Sequence, residues 1–520
     1  MTNQQLVRTL TVQYSKNNPL FVLELSSNEH LQVYPNSINR LKDVFFFIAK
    51  SGIAKHLYII SINDENGISQ KFQGEILTCD NLENATNVKQ CMLNHQNAVL
   101  LREVFAFTRP ILIGLQNSFG FGCRLGLANP GHLRAIVGTK IKPILAQQSI
   151  RELERTQRKP EEVLDAATWA VFQEGFKDGF GADADHLKTT EDIDLMVNAG
   201  FTMFTLDPGS YVVNEADSLP VEELLERVPS IPWPLLDDSY ENFLSRYVDR
   251  LLSVTSDFTM QPDHEQVLRA LIKYGGVIAH TVKLYRHLND AYPDYPFELE
   301  LSVDETESVT SPFEHFLVAN ELNRLGIKLV SLAPRFVGDF EKGIDYKGDV
   351  ERFQNEYIKH VKISEKLGPY KISIHSGSDK FSVYQAIGAL GQGLVHVKTA
   401  GTSYLEALRT ITKKEPGLFR EILDFTREQF ESEKKSYHVS ARIENVPSAE
   451  KCSDDLLLTL FEQNDARQVL HVTFGKVLTF KNERGNYVFR ERLLECLRKH
   501  EDIYYADLQQ HFHRHIAPFL

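Results

Sequence analysis

Ionisable side chains stand at the ends of short apolar runs in the middle of this chain. The run 371–377, "KISIHSG", reaches His375 and then passes into small residues. The run 297–305, "FELELSVDE", alternates apolar and polar residues and ends in Asp304 and Glu305. Imidazoles and carboxylates bind divalent metals and transfer protons. These run ends therefore indicate metal-assisted or acid–base chemistry.

Three further runs end in the same way. "ADADHLK" ends in His186 and Lys188, "FTMFTLD" ends in Asp207, and "GLVHVKT" carries His396 and Lys398. A lone histidine at a strand end is most often structural. Three histidines at equivalent ends favour a shared site.

The elements that must position these residues are parallel strands. Eight β-rich runs alternate with longer amphipathic stretches, at residues 111–118, 143–149, 182–188, 201–207, 297–305, 328–334, 371–377 and 393–399. Eight strand–helix units over this length predict an α/β fold, a (β/α)₈ TIM-type barrel. The strand ends of such a barrel open on one face, where active sites form.

Alternation of side chains orients the charged groups. Ile372 and Ile374 share one face of their run and pack outward, so His375 points into the barrel mouth. The same argument turns His396 and Lys398 inward, opposite two valines.

We expect a divalent metal in this mouth, and Zn, Mn, Co or Ni would each suit imidazole and carboxylate ligands. Glu305 and His375 are the favoured ligands, joined by one or more of His186, Asp304 and His396. No local ligand spacing supports this set, which rests on the register of the strand ends.

Polar groups for a substrate follow the first two runs. Arg124 lies in the glycine-rich stretch 118–132, which has neither phosphate-loop nor dinucleotide spacing. It could bind a carboxylate or simply hold the loop. Gln148, with Gln147 and Ser149, ends the second run and suits hydroxyl groups.

The flanking regions complete the predicted organisation. An α+β extension spans 1–105, the barrel 106–412 and a C-terminal extension 413–520. A helical insertion at about 209–295 would form a lid or an oligomer surface. Outside the barrel, predicted strands are 20–25, 56–61, 72–77 and 468–480, and a predicted helix covers 37–52.

Histidines outside the barrel are assigned differently. His511 and His515 share a face of a predicted terminal helix and are assigned to packing, and His471 is an open case.

Composition excludes several classes of function. The net charge of −13 advertises no nucleic-acid surface, and neither a signal peptide nor a membrane span is predicted. Five scattered cysteines argue against disulfides and fit a reducing cytoplasm.

Five motifs resemble those of the tagaturonate epimerase family of bacterial hexuronate catabolism. They are "GADADHLKT", "LSVDETESVTSPFEHFLVANEL", "LAPRFVGDFEKGIDYKGD", "SIHSGSDKFSVY" and "VHVKTAGTSYLEALR", within about residues 110–515. The resemblance implies interconversion of D-tagaturonate and D-fructuronate, with a divalent metal, in the cytoplasm. Some relatives act on neutral ketoses.

The implied chemistry assigns roles to the run ends. The two ketouronates differ at C4, which is not α to the ketone, so a retro-aldol and aldol sequence is expected. Asp207 or a fifth-run carboxylate such as Asp304 would be the base, with Lys188 nearby. The residues expected to bind substrate are Lys398, Arg335, Arg124, Gln148 and Ser376.

Alternative functions remain at this stage. The same barrel could belong to a metal-dependent sugar aldolase, a ketose isomerase or a sugar-binding protein without turnover. We expect a small-molecule ketouronate or ketose as the partner, with homo-oligomers also considered.

Overall fold

The barrel predicted from the sequence is present. The computed structural model describes residues 3–14, 20–26, 29–79, 87–304, 306–375, 379–399 and 401–520. Eight parallel strands close into a barrel in chain order. They are Ser118–Gly120, Lys142–Ser149, Gly181–Leu187, Met203–Leu206, Glu298–Ser302, Ser331–Ala333, Lys371–His375 and Val395–Lys398, called the first to eighth barrel strands below.

The first predicted strand is wrong in position. Residues 111–117 are irregular, and the strand begins only at Ser118. Ile113 joins Ile144, Met203 and Val330 in a small buried cluster. The carbonyl oxygen of Gly114 accepts a bond from a lysine of the seventh strand. The apolar run therefore closes the floor of the barrel instead of pairing in its wall.

Alternation inside the barrel follows the expected pattern. In the fifth strand Leu299 and Leu301 belong to the main hydrophobic core, whereas Glu300 bonds to inward-facing groups of neighbouring strands. In the seventh strand Ile372 and Ile374 belong to the same core. The interior above the floor is thus polar and ionised, which is costly unless the charges are paired.

Helices surround the barrel. They are Asn129–Ile136, Ile150–Thr156, Pro160–Glu174, Thr190–Ala199, His264–Ala291, Pro312–Arg324, Val350–Leu367, Phe381–Leu390 and Thr402–Lys414. The spacing of apolar residues predicts helices over 160–176, 190–200 and 313–326, and the structure confirms all three within two residues at each end. Gly200, at φ +95°, follows the second of these as its left-handed cap. Among the described helices, none is long and apolar enough to cross a bilayer.

The insertion after the fourth strand is mainly helical. It contains the helices Val221–Arg227, Trp233–Leu236 and Tyr240–Tyr247, the hairpin strands Leu252–Thr255 and Phe258–Met260, and the long helix His264–Ala291. The long helix packs between Thr190–Ala199 and Pro312–Arg324, in the place of the fourth barrel helix. The spacing of apolar residues predicts one helix over 239–254, but the helix ends at Tyr247 and the first hairpin strand begins at Leu252.

The N-terminal region forms a seven-stranded antiparallel sheet. Its strands are Phe21–Ser26, Glu29–Val33, Asn39–Leu41, Asp43–Ser51, Ala54–Asn63, Gly74–Leu77 and Asn87–Cys91, with helices Asn3–Tyr14, Ile68–Lys71 and His95–Val104.

The predicted helix 37–52 is wrong, because the strand Asp43–Ser51 is covered on both faces. Phe45 and Phe47 join one hydrophobic cluster, and Phe46 and Ile48 join another. Burial on both faces removes the alternation that marks a strand in sequence.

The C-terminal extension is helical. Its helices are Pro416–Glu433, Asp454–Thr459, Asn464–Val472, Phe474–Thr479, Arg490–Lys499 and Glu501–Ile516. The strand predicted at 468–480 is wrong, since two short helices occupy that stretch. Both are buried on most sides, so the run of β-branched residues carries no clear period.

Candidate functional site

A cavity opens at the carboxyl ends of the barrel strands. Residues of the barrel strands form the part called inner below: Gln147, Ser149, Asp185, His186, His375 and Lys398. Residues of the loops and helices beyond the strands form the part called outer: Arg124, Arg151, Glu152, Lys342, Tyr437 and His471. The last two belong to the C-terminal extension, so this extension covers the mouth. Among the described lining residues, none comes from the insertion 209–295.

Lys398 is the centre of a buried charge cluster. Its Nζ lies 2.8 Å from Asp183, 2.7 Å from Asp185 and 2.8 Å from Glu300. Burial would lower the pKa of Lys398, but these carboxylates hold it well above its usual value. Burial raises the pKa of Asp183 to about 6, against the opposing effect of Lys398. The lysine balances three carboxylates and is not a free partner for an anionic substrate.

His375 joins two carboxylates of the fifth strand region. Its Nε2 lies 2.7 Å from Glu300 Oε1, and its Nδ1 lies 3.2 Å from Asp304 Oδ1. Burial would lower the pKa of His375, and Lys398 adds to that effect, but the two carboxylates raise it overall. A histidine held by a carboxylate on one nitrogen presents the other nitrogen in a fixed direction.

His186 reaches the same place by an unusual backbone conformation. Its φ is +53°, in the left-handed region, where the register between the third and fourth strands shifts. Its Nδ1 lies 3.2 Å from Asp207 Oδ2, and its ring centroid lies 5.3 Å from that of His375. Burial alone would lower the pKa of His186, but Asp185 and Asp207 raise it to about 10. Asp207 therefore orients this imidazole.

A divalent metal fits between three of these side chains. His186, Asp304 and His375 each offer a ligand atom within 4.8 Å of the others. Burial would raise the pKa of Asp304, but His375 and His186 hold it well below its usual value, so it is ionised. Negative charge is in excess in this mouth. Five carboxylates face two lysines and two imidazoles; the carboxylates are those of Asp183, Asp185, Asp207, Glu300 and Asp304, and the lysines are Lys398 and Lys188. Two imidazoles and a carboxylate in a negative field suit Zn²⁺ or a similar ion.

Three other predicted residues do not line this cavity, although Lys188 lines an adjoining one with His186 and Asp207. His396 points inward but sits lower, bonded to Ser118 Oγ at 2.9 Å, and burial lowers its pKa to about 3. Lys188 is half exposed and lies 3.4 Å from Asp207. Arg335 donates to the carbonyl oxygens of Phe336 and Gly338. These three side chains are not among the residues that line the cavity.

Two residues near the first two runs are predicted to bind substrate, and only one of them lines the cavity. Arg124 lines the cavity, but its Nε pairs with Glu152 at 3.0 Å and its guanidinium lies over Phe474. Gln148 faces the opposite side, towards Arg158, because only alternate residues of a strand point inward. Gln147 is the inward neighbour and donates to Asp185 at 3.0 Å. The prediction of Gln148 is therefore off by one residue.

Several residues of the site are absent from the predictions made on the sequence. Asp183 and Asp185 alternate with alanines in "ADADHLK", a pattern that places both inside the barrel. Glu300 is one of the polar residues that alternate along "FELELSVDE", and it contacts both Lys398 and His375. Lys342 and Tyr437 lie in loops with no sequence signal for the cavity. Glu305 and Ser376, predicted as a metal ligand and a substrate contact, lie outside the described residues.

Comparison with known proteins identifies the family. The model of the tagaturonate epimerase family matches residues 34–519. A tagaturonate/fructuronate epimerase from Thermotoga maritima is 41% identical over 489 residues, which cover 93% of this chain and 96% of that protein.

Solved structures agree with this match. The glycerol-bound crystal structure of the fructuronate-tagaturonate epimerase UxaE from Cohnella laeviribosi has a TM-score of 0.87 at 35% identity, covering 99% of both chains. The native crystal structure of the same enzyme has a TM-score of 0.87 at 37% identity, covering 94% of this chain and 96% of the other. This chain belongs to the tagaturonate epimerase family.

Proposed function

We propose that this protein interconverts D-tagaturonate and D-fructuronate by inverting C4 of the ketouronate. Its family makes it an isomerase-class enzyme. The assignment of a sugar acid as the substrate rests on the distribution of charged residues in the cavity. The strand ends contribute Asp185, His186, His375 and Lys398, and the loops and helices beyond them contribute three cations and one carboxylate, from Arg124, Arg151, Lys342 and Glu152. A sugar acid matches this division, with its carboxylate outward and its ketone and hydroxyl groups inward.

A divalent metal is part of this proposal. His186, Asp304 and His375 would hold it, with Asp207 and Glu300 fixing the two imidazole rings. When bound, the ion would polarise the ketone oxygen as a Lewis acid. His396, predicted as a ligand from its strand register, has no place in this set.

Asp185 is the carboxylate best placed to act as the base. It lines the cavity, and it is held by Lys398 Nζ at 2.7 Å and by Gln147 Nε2 at 3.0 Å. Burial would raise the pKa of Asp185, but Lys398 and His186 hold it well below its usual value, so the group is ionised. Asp207, the base favoured from sequence, is occupied by His186 and is assigned to positioning.

A retro-aldol and aldol sequence fits these groups. Asp185 accepts the proton of the C4 hydroxyl, and the C3–C4 bond breaks to give an aldehyde and a three-carbon enediolate. The aldehyde presents its other face, the C3–C4 bond forms again, and Asp185 returns the proton to the C4 oxygen. The reaction conserves all atoms and needs no external oxidant.

The outer cations would hold the carboxylate of the substrate. Lys342, Arg151 and Arg124 all line the cavity. This assignment replaces Lys398, which balances three carboxylates, and Arg335, which does not line the cavity. An arginine can bind a carboxylate through two parallel hydrogen bonds.

The test uses metal-stripped and metal-restored protein incubated with D-tagaturonate. We expect D-fructuronate in the NMR spectrum only after Zn²⁺, Mn²⁺, Co²⁺ or Ni²⁺ is restored. Absence of turnover with all four ions would contradict the proposal. Accumulation of three-carbon fragments would instead identify an aldolase, and an aldose product would identify an isomerase.

A pair of variants tests the metal ligands. His375→Ala should lose one equivalent of metal and the activity while keeping its fold. His396→Ala is the matched control, because it lies in the same barrel interior without contacting the ligand set, and its metal content should equal that of the wild type. Unchanged metal in His375→Ala would remove this residue from the ligands.

A further inference from the structure

A second group of buried ligand atoms lies behind the wall of the cavity. Asp379 follows the seventh strand, Thr402 begins the helix after the eighth strand, and His511 and His515 belong to the helix Glu501–Ile516. All four side chains are buried, and none of them lines the cavity. The reaction proposed above assigns them no role.

Four polar atoms of these side chains converge on one point. Asp379 Oδ1 lies 3.1 Å from His511 Nε2 and 3.1 Å from His515 Nε2. Thr402 Oγ1 lies 2.8 Å from Asp379 Oδ1 and 2.6 Å from His511 Nε2. Ligand atoms about 2.0–2.1 Å from a tetrahedral metal lie about 3.3 Å from one another. The two separations between Asp379 Oδ1 and the histidine nitrogens, both 3.1 Å, are close to that value, and the two separations from Thr402 Oγ1 are shorter.

The outer nitrogen of His515 already has a hydrogen-bond partner. His515 Nδ1 lies 3.1 Å from the carbonyl oxygen of His511, which can only accept a hydrogen bond. His515 Nδ1 therefore carries the proton. In the neutral ring Nε2 has no proton, and its lone pair points at an oxygen of Asp379. Two lone pairs this close in a buried site require a cation between them, either a proton or a metal ion.

His511 has a carboxylate near its other nitrogen. Its Nδ1 lies 3.3 Å from Glu406 Oε1, within ion-pair distance but without a hydrogen bond, while its Nε2 faces Asp379. Histidines that bind metals usually donate their other ring nitrogen to a carboxylate or a backbone carbonyl. His515 has such a partner in the carbonyl oxygen of His511. Their spacing of four residues on one helix also places two ligands on the same face.

From this geometry we infer that Asp379, His511, His515 and Thr402 bind a second metal ion, of the Zn²⁺ class. Two imidazoles with oxygen ligands suit Zn²⁺, and four protein ligands in a closed site are typical of a structural metal. The ion would join the loops after the seventh and eighth strands to the last long helix. Arg467 donates to the other oxygen of Asp379 and holds that carboxylate in place.

Metal stoichiometry tests this inference. After dialysis against buffered Zn²⁺, elemental analysis should find two equivalents per chain in the wild type and one in His515→Ala. His375→Ala, which alters the barrel mouth, should retain one equivalent, and the double variant should bind none. His132→Gln is the matched control, because His132 is buried against Phe512 of the same helix but does not contact Asp379. Its metal content should equal that of the wild type.

A second test is spectroscopic and uses a variant in which the second site is unchanged. His375→Ala loaded with Co²⁺ should show the intense visible absorption of tetrahedral cobalt and should unfold at a higher temperature than its metal-free form. A wild-type metal content in His515→Ala would overturn the inference. The absence of both bound metal and the cobalt band in His375→Ala would also overturn the inference. A proton would then be the cation shared by Asp379 and the two histidines. Failure of the proposed epimerase reaction would change neither readout.

Discussion

At the scale of single residues, one buried lysine balances the charge of the carboxylates at the inner end of the cavity. Lys398 lies within 2.8 Å of three carboxylates from the third and fifth strands. Removal of one partner from a buried ionic group leaves uncompensated charge, which typically costs about 3–5 kcal/mol. The positions of these carboxylates and the stability of the barrel therefore both depend on Lys398.

Lys398→Met should lower the free energy of unfolding by about 3–5 kcal/mol and lower kcat/KM by about 100-fold or more. Urea denaturation and initial rates measure the two effects. Lys371→Met is the matched control, since Lys371 is equally buried but bonds to Gly114 and Ser118 lower in the barrel. It should lose stability with a smaller effect on kcat/KM. Equal kinetic losses in both variants would contradict the assignment.

Asp207 acts through another residue, because its carboxylate orients His186. Asp207→Asn should weaken metal binding by about 10- to 100-fold, the usual effect of losing a partner that orients a ligand. Titration of the metal-free variant with Zn²⁺ measures this loss, and excess metal should restore part of the activity. Asp192→Asn is the control, since Asp192 caps the neighbouring helix without contacting His186. If Asp207 were the base, excess metal would restore nothing.

Individual site residues could be read from the sequence only where the strand is regular. Alternation placed His375 and Lys398 inside the barrel, since their strands keep an extended backbone to the end. It could not place His186, whose positive φ turns the side chain towards the mouth against the parity of Asp183 and Asp185. Such local backbone exceptions are common at functional sites and have no sequence period.

At the scale of elements, one buried carboxylate ties the last long helix to the N-terminal sheet. Glu501 begins that helix and pairs with Lys50 at 2.9 Å and Lys55 at 2.6 Å. The hydroxyl of Tyr34 also donates to it. Burial would raise the pKa of Glu501, but the ion pairs and hydrogen bonds outweigh it and lower the pKa to about 2.

This pKa predicts how stability changes with pH. The folded pKa lies below the ordinary value of 4.5, so the contribution is present above pH 4.5 and is lost as the pH falls towards about 2. A shift of this size corresponds to about 3 kcal/mol. Glu501→Gln should lose about that much at pH 7 and should show a shallower loss of stability between pH 4.5 and pH 2.5. Denaturation series at several pH values measure both slopes, and parallel slopes would refute the prediction.

Elements were predictable where burial is one-sided. The helix Thr190–Ala199 has an N-terminal cap and buries only Ile193, Met196 and Val197, and it begins and ends close to its predicted limits. The strand Asp43–Ser51 and the helices Asn464–Val472 and Phe474–Thr479 are buried on most sides, so their sequences lack a diagnostic period. The run 111–117 is apolar because it closes the barrel floor, a role that local sequence does not distinguish from a strand.

At the scale of the whole molecule, the C-terminal extension completes the barrel. It supplies Tyr437 and His471 to the outer cavity, and Arg155 of the barrel donates hydrogen bonds to Tyr437 and Ser436. A reaction that breaks a carbon–carbon bond and re-forms it must retain both fragments. In the proposed retro-aldol reaction, a cover of this kind would hold both fragments until the bond forms again.

Tyr437→Ala tests that idea, because it opens the cover without changing the inner groups. The variant should lose epimerase activity by about 10-fold or more and should release an aldehyde and a three-carbon ketose, which wild-type protein retains. NMR of the reaction mixture detects both fragments. Tyr487→Ala is the matched control, since Tyr487 also joins the extension to the barrel, through Gln157, without lining the cavity. It should release no fragments. Slower epimerisation by Tyr437→Ala with no fragment release would mean that the inner cavity alone retains the aldehyde.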